Sequence, residues 1–199
     1  MSTGLVVCFS GRIGSGKSSV TQTLANALRW PRASFGDYVR ARLAERGGDP
    51  TSREELQNLG QALIEADPQG FATAVLRAAG NQQGFDLLVD GIRHVSIQAT
   101  IAMLVAPSRA FLIHLAADDL QVRQRVEHRA DGLTDLARAE RHSVESELRL
   151  SLPGMANSVI DANAPLDVVL GDCLSAIERF GASSQTVANA RAFVSFIEG

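Results

Sequence analysis

The stretch "VVCFSGRIGSGKSSV" (residues 6–20) joins an apolar run to a polar one through three glycines and a single lysine. Residues 5–10, "LVVCFS", suit a strand buried on both faces, and Gly11 ends it. Beyond Ser18, Val20, Leu24, Ala27 and Leu28 recur at the spacing of one helical face, and Trp30-Pro31 closes that helix. Lys17 is the only lysine in the chain; all other members of its set of 19 basic residues are arginines. A chain that otherwise uses arginine throughout keeps its one ammonium in the turn between strand and helix.

The segment "GRIGSGKS" (Gly11–Ser18) fits the pattern G-x-x-x-x-G-K-[ST] in its expected strand-to-helix setting. Glycines permit backbone conformations that turn amide N–H groups inward around a phosphate. The helix that follows adds free N–H groups and the positive end of its dipole. A compact ammonium fits between phosphates where a wide guanidinium would crowd them. By average residue frequencies the four fixed positions match by chance in roughly one chain of this length in a hundred. The expectation is a phosphate-binding loop in which Gly11, Gly14, Ser15, Gly16, Lys17, Ser18 and Ser19 hold ATP. Lys17 then reaches the β- and γ-phosphates, and Ser18 is a ligand for Mg²⁺.

The totals narrow the surroundings of that loop. A chain of 199 residues suits one domain over residues 1–199 and is short for two. Net charge of −3 leaves no electrostatic footprint for nucleic acid or an anionic membrane, so local arginines must meet any bound anion. Cys8 and Cys173 stand far apart in apolar surroundings and read as core residues. The four histidines show no metal-site spacing. No run reaches the length of a membrane span or resembles a signal peptide, so a cytoplasmic location is expected.

Further strands are expected at "RASF", "FDLLVDG", "RAFLIHL" and "SVID", with helical patterns between them. Gly36-Asp37 opens one helix, and Thr51 with Glu54 forms a capping box for the next, which carries Leu56, Leu59 and Leu63. Pro165 opens a helix with Val169, Leu170, Cys173 and Ile177. Alternating short strands and helices predict an α/β fold: three layers, α/β/α, around a parallel sheet of about five strands.

The lysine count also excludes options. A GTPase of the common type reads guanine through N-K-x-D, and no second lysine exists to supply it. A protein kinase needs a different glycine loop and a separate strand lysine. Ring-forming ATPase modules usually exceed this length. Three segments then resemble the nucleoside monophosphate kinase-like superfamily, which includes adenylate kinase-like and dephospho-CoA kinase-like small kinases.

In "SFGDYVRARL", Gly36, Asp37 and Arg40 resemble the acceptor-side motif, which implies that Asp37 and Arg40 hold the acceptor; an ordinary capped helix is the plain alternative. In "LLVDGIRH", Asp90, Gly91 and Arg93 are similar to the D-G-[hydrophobic]-R of relatives of dephospho-CoA kinase. This implies Asp90 on Mg²⁺ through water, or on the acceptor, and Arg93 on the acceptor; a surface turn is the alternative. The arginine-dense segment 118–150, with Arg125 and Arg129 four apart on one helix face, resembles the superfamily's lid. Arg138 and Arg141 return beyond Gly132, and a solvated helix with salt bridges is the plain reading. "SVIDANAPLDVV", with Asn163, resembles the adenine-side segment, while the helical stretch 184–199 has no counterpart there.

The resemblance implies a helical lid over residues 118–150 and an acceptor-binding helical region over 36–80. It also implies transfer of the ATP γ-phosphoryl group to a small phosphorylated acceptor, most naturally a nucleoside or deoxynucleoside monophosphate. Lys17, Arg125, Arg129 and Asp90 would then be the catalytic set. A hydroxyl acceptor, as in dephospho-CoA kinase, and a non-catalytic ATP-binding regulatory module remain alternatives. The sequence leaves room for a homodimer.

Overall fold

The computed structural model describes residues 3–80, 84–127 and 147–197. Five parallel strands form one sheet: β1 (Leu5–Gly11), β2 (Arg32–Ser34), β3 (Leu87–Ile92), β4 (Arg109–Ala116) and β5 (Ser158–Asp161). Their spatial order is β2-β3-β1-β4-β5. Every residue of β1 is buried. Its side chains alternate: Leu5, Val7 and Phe9 enter one apolar cluster, Val6 and Cys8 the other.

Helices cover both faces. On the Phe9 side lie α1 (Lys17–Leu28), which begins inside the phosphate-loop motif, and two later helices, Leu166–Phe180 and Ser184–Ile197. The last of these fixes its place through Val187, Ala190 and Val194, which belong to the core. On the Cys8 side lie α2 (Phe35–Glu45), α4 (Pro68–Ala78) and α5 (Val95–Leu104). The expected three layers and five strands are present.

Between α2 and α4 runs α3 (Arg53–Ala66), which has no fully buried residue. Its Leu56, Leu59, Leu63 and Ile64 are half-buried against the Cys8-side cluster. The cap of α3 differs from the expected box by one residue: Ser52 accepts the N–H of Glu55 at 3.3 Å, while Thr51 bonds Asp49. Ser and Thr both cap well, so adjacent candidates are not separable by type alone. Cys8 and Cys173 are buried free thiols, as expected, and burial pushes the Cys8 thiol up to about 12.

The strand order creates the site. From β1 the chain leaves over one face through α1; from β3 it leaves over the other through α5. Because β1 and β3 are neighbours, their loops diverge and open a crevice at the carboxyl edge. Asp90 lies opposite Phe9 of β1 and Ser34 of β2 in the register, at the floor of that crevice.

Candidate functional site

The loop between β1 and α1 depends on its glycines in two places. Gly11 has φ +146°, and a Cβ there would stand 2.6 Å from the Leu115 carbonyl oxygen. Gly14 has φ +77°, and its Cβ would press on Val122 and Val126 of α6 (Asp119–Glu127). Ile13, Val122 and Val126 form a small buried cluster that seats α6 on the loop. Arg12 adds an ion pair to Asp119, and Arg149 comes within 3.6 Å of the same Asp119 carboxylate.

Lys17 is buried, and its Nζ donates to the carbonyl oxygens of Gly11 and Arg12 (2.8 Å for the latter) and to Ser15 Oγ at 3.3 Å. Beneath the loop, Ser10 Oγ and His114 Nδ1 lie 2.9 Å apart. Burial, reinforced by the charge of Lys17, pushes the His114 imidazole down to about 4, so it is neutral near pH 7. The loop therefore presents one ammonium over a neutral floor.

Gly14, Gly16, Lys17, Ser18 and Ser19 share one cavity of about 230 Å³ with Asp37, Arg40, Asp90 and Arg93. Gly36 and Gly91 of the two later motifs line it as well, so the fold brings these sequence-marked residues together. Gly11 and Ser15 are buried within the loop behind the lining. Arg125 reaches the same loop from α6, with Nη1 3.5 Å from the Ser15 carbonyl oxygen. Arg129, Arg138 and Arg141 lie outside the described residues. Asn163 Oδ1 accepts the Asp118 N–H at 3.0 Å, just ahead of α6.

One face of α3 supplies the far wall, with Arg53, Leu56, Gln57, Gly60, Gln61 and Ile64 at helical spacing. Phe35, Val39, Phe71 and Ile97 give that end an apolar floor. This end of the cavity is thus apolar below and also lined by Arg40, Arg53 and Arg93.

Asp37 stands in the first turn of α2, where Ser34 Oγ accepts its N–H at 3.2 Å. One carboxylate oxygen accepts from Arg40 and the other from Arg32, both at 2.8 Å. Partial burial opposes ionisation of Asp37, but hydrogen bonds from Arg32 and Ser34 and the Arg32 and Arg40 charges outweigh it, holding the carboxyl below its usual value. Asp90 is buried and paired with the same Arg32 through Oδ2, while its Oδ1 has no hydrogen-bond partner among the described residues. Arg32 was not among the expected site residues. Its signal was faint: a lone arginine beginning a short strand, meaningful only once β2 pairs with β3.

Glu147 is a second residue the sequence did not mark. It accepts from the Val95 N–H at 2.7 Å and lies 2.9 Å from His94 Nδ1, so it caps α5 beside the cavity.

The donors present fit a hard divalent cation. The Ser18 hydroxyl and the Asp90 carboxylate both line the cavity, and the free Asp90 oxygen lacks a donor such as a metal-bound water would supply. Among the described residues no cluster of three or more His, Cys, Asp or Glu forms a metal cage. Two protein oxygens suit Mg²⁺, which keeps several waters and leans on substrate phosphates.

The sequence model of the AAA domain family matches residues 10–145. A UPF0200 protein of Aeropyrum pernix is 32% identical over 125 residues, covering 63% of this chain; the chain spans 65% of that relative's length. Among solved structures, a shikimate kinase from Acinetobacter baumannii in complex with shikimate aligns with a TM-score of 0.58 at 16% identity, over 91% of this chain and 97% of that one. A gluconokinase from Sinorhizobium meliloti 1021 gives 0.53 at 17% identity, over 90% and 94%. A putative kinase from Chloroflexus aurantiacus gives 0.57 at 19%, over 90% and 98%. At such identities the likeness is one of fold, and the fold is that of small P-loop kinases.

Proposed function

Since the chain belongs to the AAA domain family and has the fold of small P-loop kinases, we propose that it transfers the γ-phosphoryl group of ATP to a nucleotide-type acceptor, a nucleoside or deoxynucleoside monophosphate. The observation that carries this reading is the shared cavity. One end is walled by Gly14, Gly16, Lys17 and Ser18, the other by an apolar floor under Arg40, Arg53 and Arg93. A planar base suits the apolar end, and a phosphate suits the arginines.

In this reading Lys17 and the loop amides hold the donor phosphates, and Ser18 with Asp90 would hold Mg²⁺, Asp90 through water. That ion, when bound, neutralises charge on the phosphates. Arg40 and Arg93 hold the acceptor phosphate, with Asp37 orienting Arg40. Arg125, and Arg129 beyond the described residues, close over the transferring group. An attacking phosphate oxygen is already ionised near neutral pH, so no general base is needed and the residues act by positioning and electrostatics. The whole chain acts as one unit, with residues 36–80 as the acceptor region and 118–150 as the lid. Its expected location is the cytoplasm, where ATP is plentiful; among the described residues no helix is long and apolar enough to cross a membrane.

One observation favours a second reading. Asp90 Oδ1 is buried and, among the described residues, without a hydrogen-bond partner; a hydroxyl acceptor brought against it would supply the missing donor. The gluconokinase and shikimate kinase of like fold have names that point to such acceptors. Incubation with ATP and Mg²⁺ and a panel of nucleoside and deoxynucleoside monophosphates, dephospho-CoA, gluconate and shikimate separates the two. Phosphorylation of a monophosphate supports the first reading, and phosphorylation confined to a hydroxyl supports the second.

A further inference from the structure

We infer that Arg32 is a positioning residue for phosphoryl transfer: it fixes Asp90 and Asp37 as a pair so that Asp90 Oδ1 faces the reacting groups. The inference rests on the phosphotransfer reading and adds to it a residue on a different strand from any motif.

The geometry is a three-way fork. Arg32 Nε donates to Thr21 Oγ1 of α1 at 2.9 Å, Nη1 to Asp37 Oδ2 of α2 at 2.8 Å, and Nη2 to Asp90 Oδ2 of β3. Each nitrogen thus serves a different element. The Thr21 hydroxyl in turn donates to the Ser18 carbonyl oxygen at 3.3 Å, one turn back along the helix that begins with Lys17. One planar cation therefore ties the donor-side helix, the acceptor-side helix and the central carboxylate. A guanidinium holds its donors in fixed directions, which a lysine at this position would not do.

A purely structural ion pair explains this less well. The Arg32 side chain is 13% exposed and that of Asp90 is 4% exposed, so the pair is largely withdrawn from water. A buried pair serving only stability would satisfy both carboxylate oxygens, since an orphaned acceptor is costly. Here Arg32 takes Oδ2 and leaves Oδ1 buried without a partner among the described residues. Asp37 shows the complementary arrangement: Arg32 holds one oxygen, and the other holds Arg40 at the cavity rim. With its nitrogens engaged in this way, Arg32 orients the groups that meet the substrates and leaves anion capture to Arg40 and Arg93.

The test is a double-mutant cycle on Arg32→Gln and Asp90→Asn, with Arg32→Lys alongside. Rates are measured with ATP and whichever of AMP, dAMP or dephospho-CoA the unmodified chain phosphorylates. Arg32→Gln is expected to lower kcat by about 100-fold while the KM for ATP stays within about threefold. The double variant should fall no more than about threefold below Asp90→Asn alone, because both changes remove one function. Arg32→Lys should recover less than about tenfold. A further loss of about 100-fold in the double variant, or an Arg32→Gln kcat within about threefold of the original, would overturn the proposal.

Thermal unfolding accompanies each variant. If Arg32→Gln alone does not fold, the double variant, which has no uncompensated buried carboxylate, carries the comparison with Asp90→Asn. If the unmodified chain phosphorylates none of these three, the full monophosphate panel decides the nucleotide reading, and Arg32 is judged separately by binding of a fluorescent ATP analogue. The Mg²⁺-dependent gain in affinity should then be lost equally in Arg32→Gln, Asp90→Asn and the pair; a gain retained in Arg32→Gln overturns the proposal.

Discussion

Arg125 of α6 lies with Nη1 3.5 Å from the Ser15 carbonyl oxygen, at the outer limit of a hydrogen bond, directly against the phosphate loop. The seat is apolar, made by Ile13 with Val122 and Val126, so α6 holds its place without that contact. On the proposed reading, Arg125 acts on the transferring group. Its replacement by alanine should lower transfer by about 10²- to 10³-fold and ATP affinity only a few-fold. Steady-state kinetics beside calorimetric ATP binding checks this. Equal, modest losses in both would favour a module that binds ATP without transferring from it.

Lys17 gives a sharper comparison. Its ammonium is buried among the carbonyl oxygens of Gly11 and Arg12 and the Ser15 hydroxyl, a space sized for a compact cation. Lys17→Arg should consequently be nearly as damaging as Lys17→Ala, each costing about 100-fold or more in transfer. Substantial activity in Lys17→Arg would show that charge alone matters there.

Stability should carry a signature of His114. Its pKa in the fold, about 4, lies below its ordinary value, so the unfolded chain takes up a proton that the folded chain refuses. The neutral imidazole thus contributes stability that is intact above about pH 6.5 and declines as pH falls toward 4, on the order of 3 kcal/mol in total. His114→Asn should flatten the denaturation midpoint against pH over that window. Parallel slopes in the two proteins would contradict it.

Glu147, within the segment 118–150, is tied to α5 by accepting from the Val95 N–H and meeting His94. Because His94, the N-cap residue of α5, makes no side-chain cap of its own, Glu147→Ala should cost about 1–3 kcal/mol, with a measurable fall in Tm. An unchanged Tm would mean that solvent replaces the cap at no cost.

The parts legible in the sequence are those written locally. The glycine spacing, the buried run before it and the helical period after it specify β1, the loop and α1 within one short window. The apolar run ending in Asp90 gave the strand beside it, and Gly36-Asp37 the start of α2 to within a residue, while its Ser34 cap emerged only in the structure. What stayed hidden depends on pairing between distant segments. Arg32 acquires partners only because β2 lies beside β3, and Glu147 meets Val95 across 52 positions. The cap of α3 was misplaced by one residue for the opposite reason: Thr51 and Ser52 are both competent, and the turn at Asp49 takes Thr51.

The most direct test of the central claim follows radiolabelled γ-phosphate from ATP into the panel of nucleoside and deoxynucleoside monophosphates, with ADP measured in the same reaction. The account predicts a labelled nucleoside diphosphate formed in step with ADP, and its loss in Lys17→Ala. ADP release with no labelled acceptor, or no turnover across the panel, would contradict it.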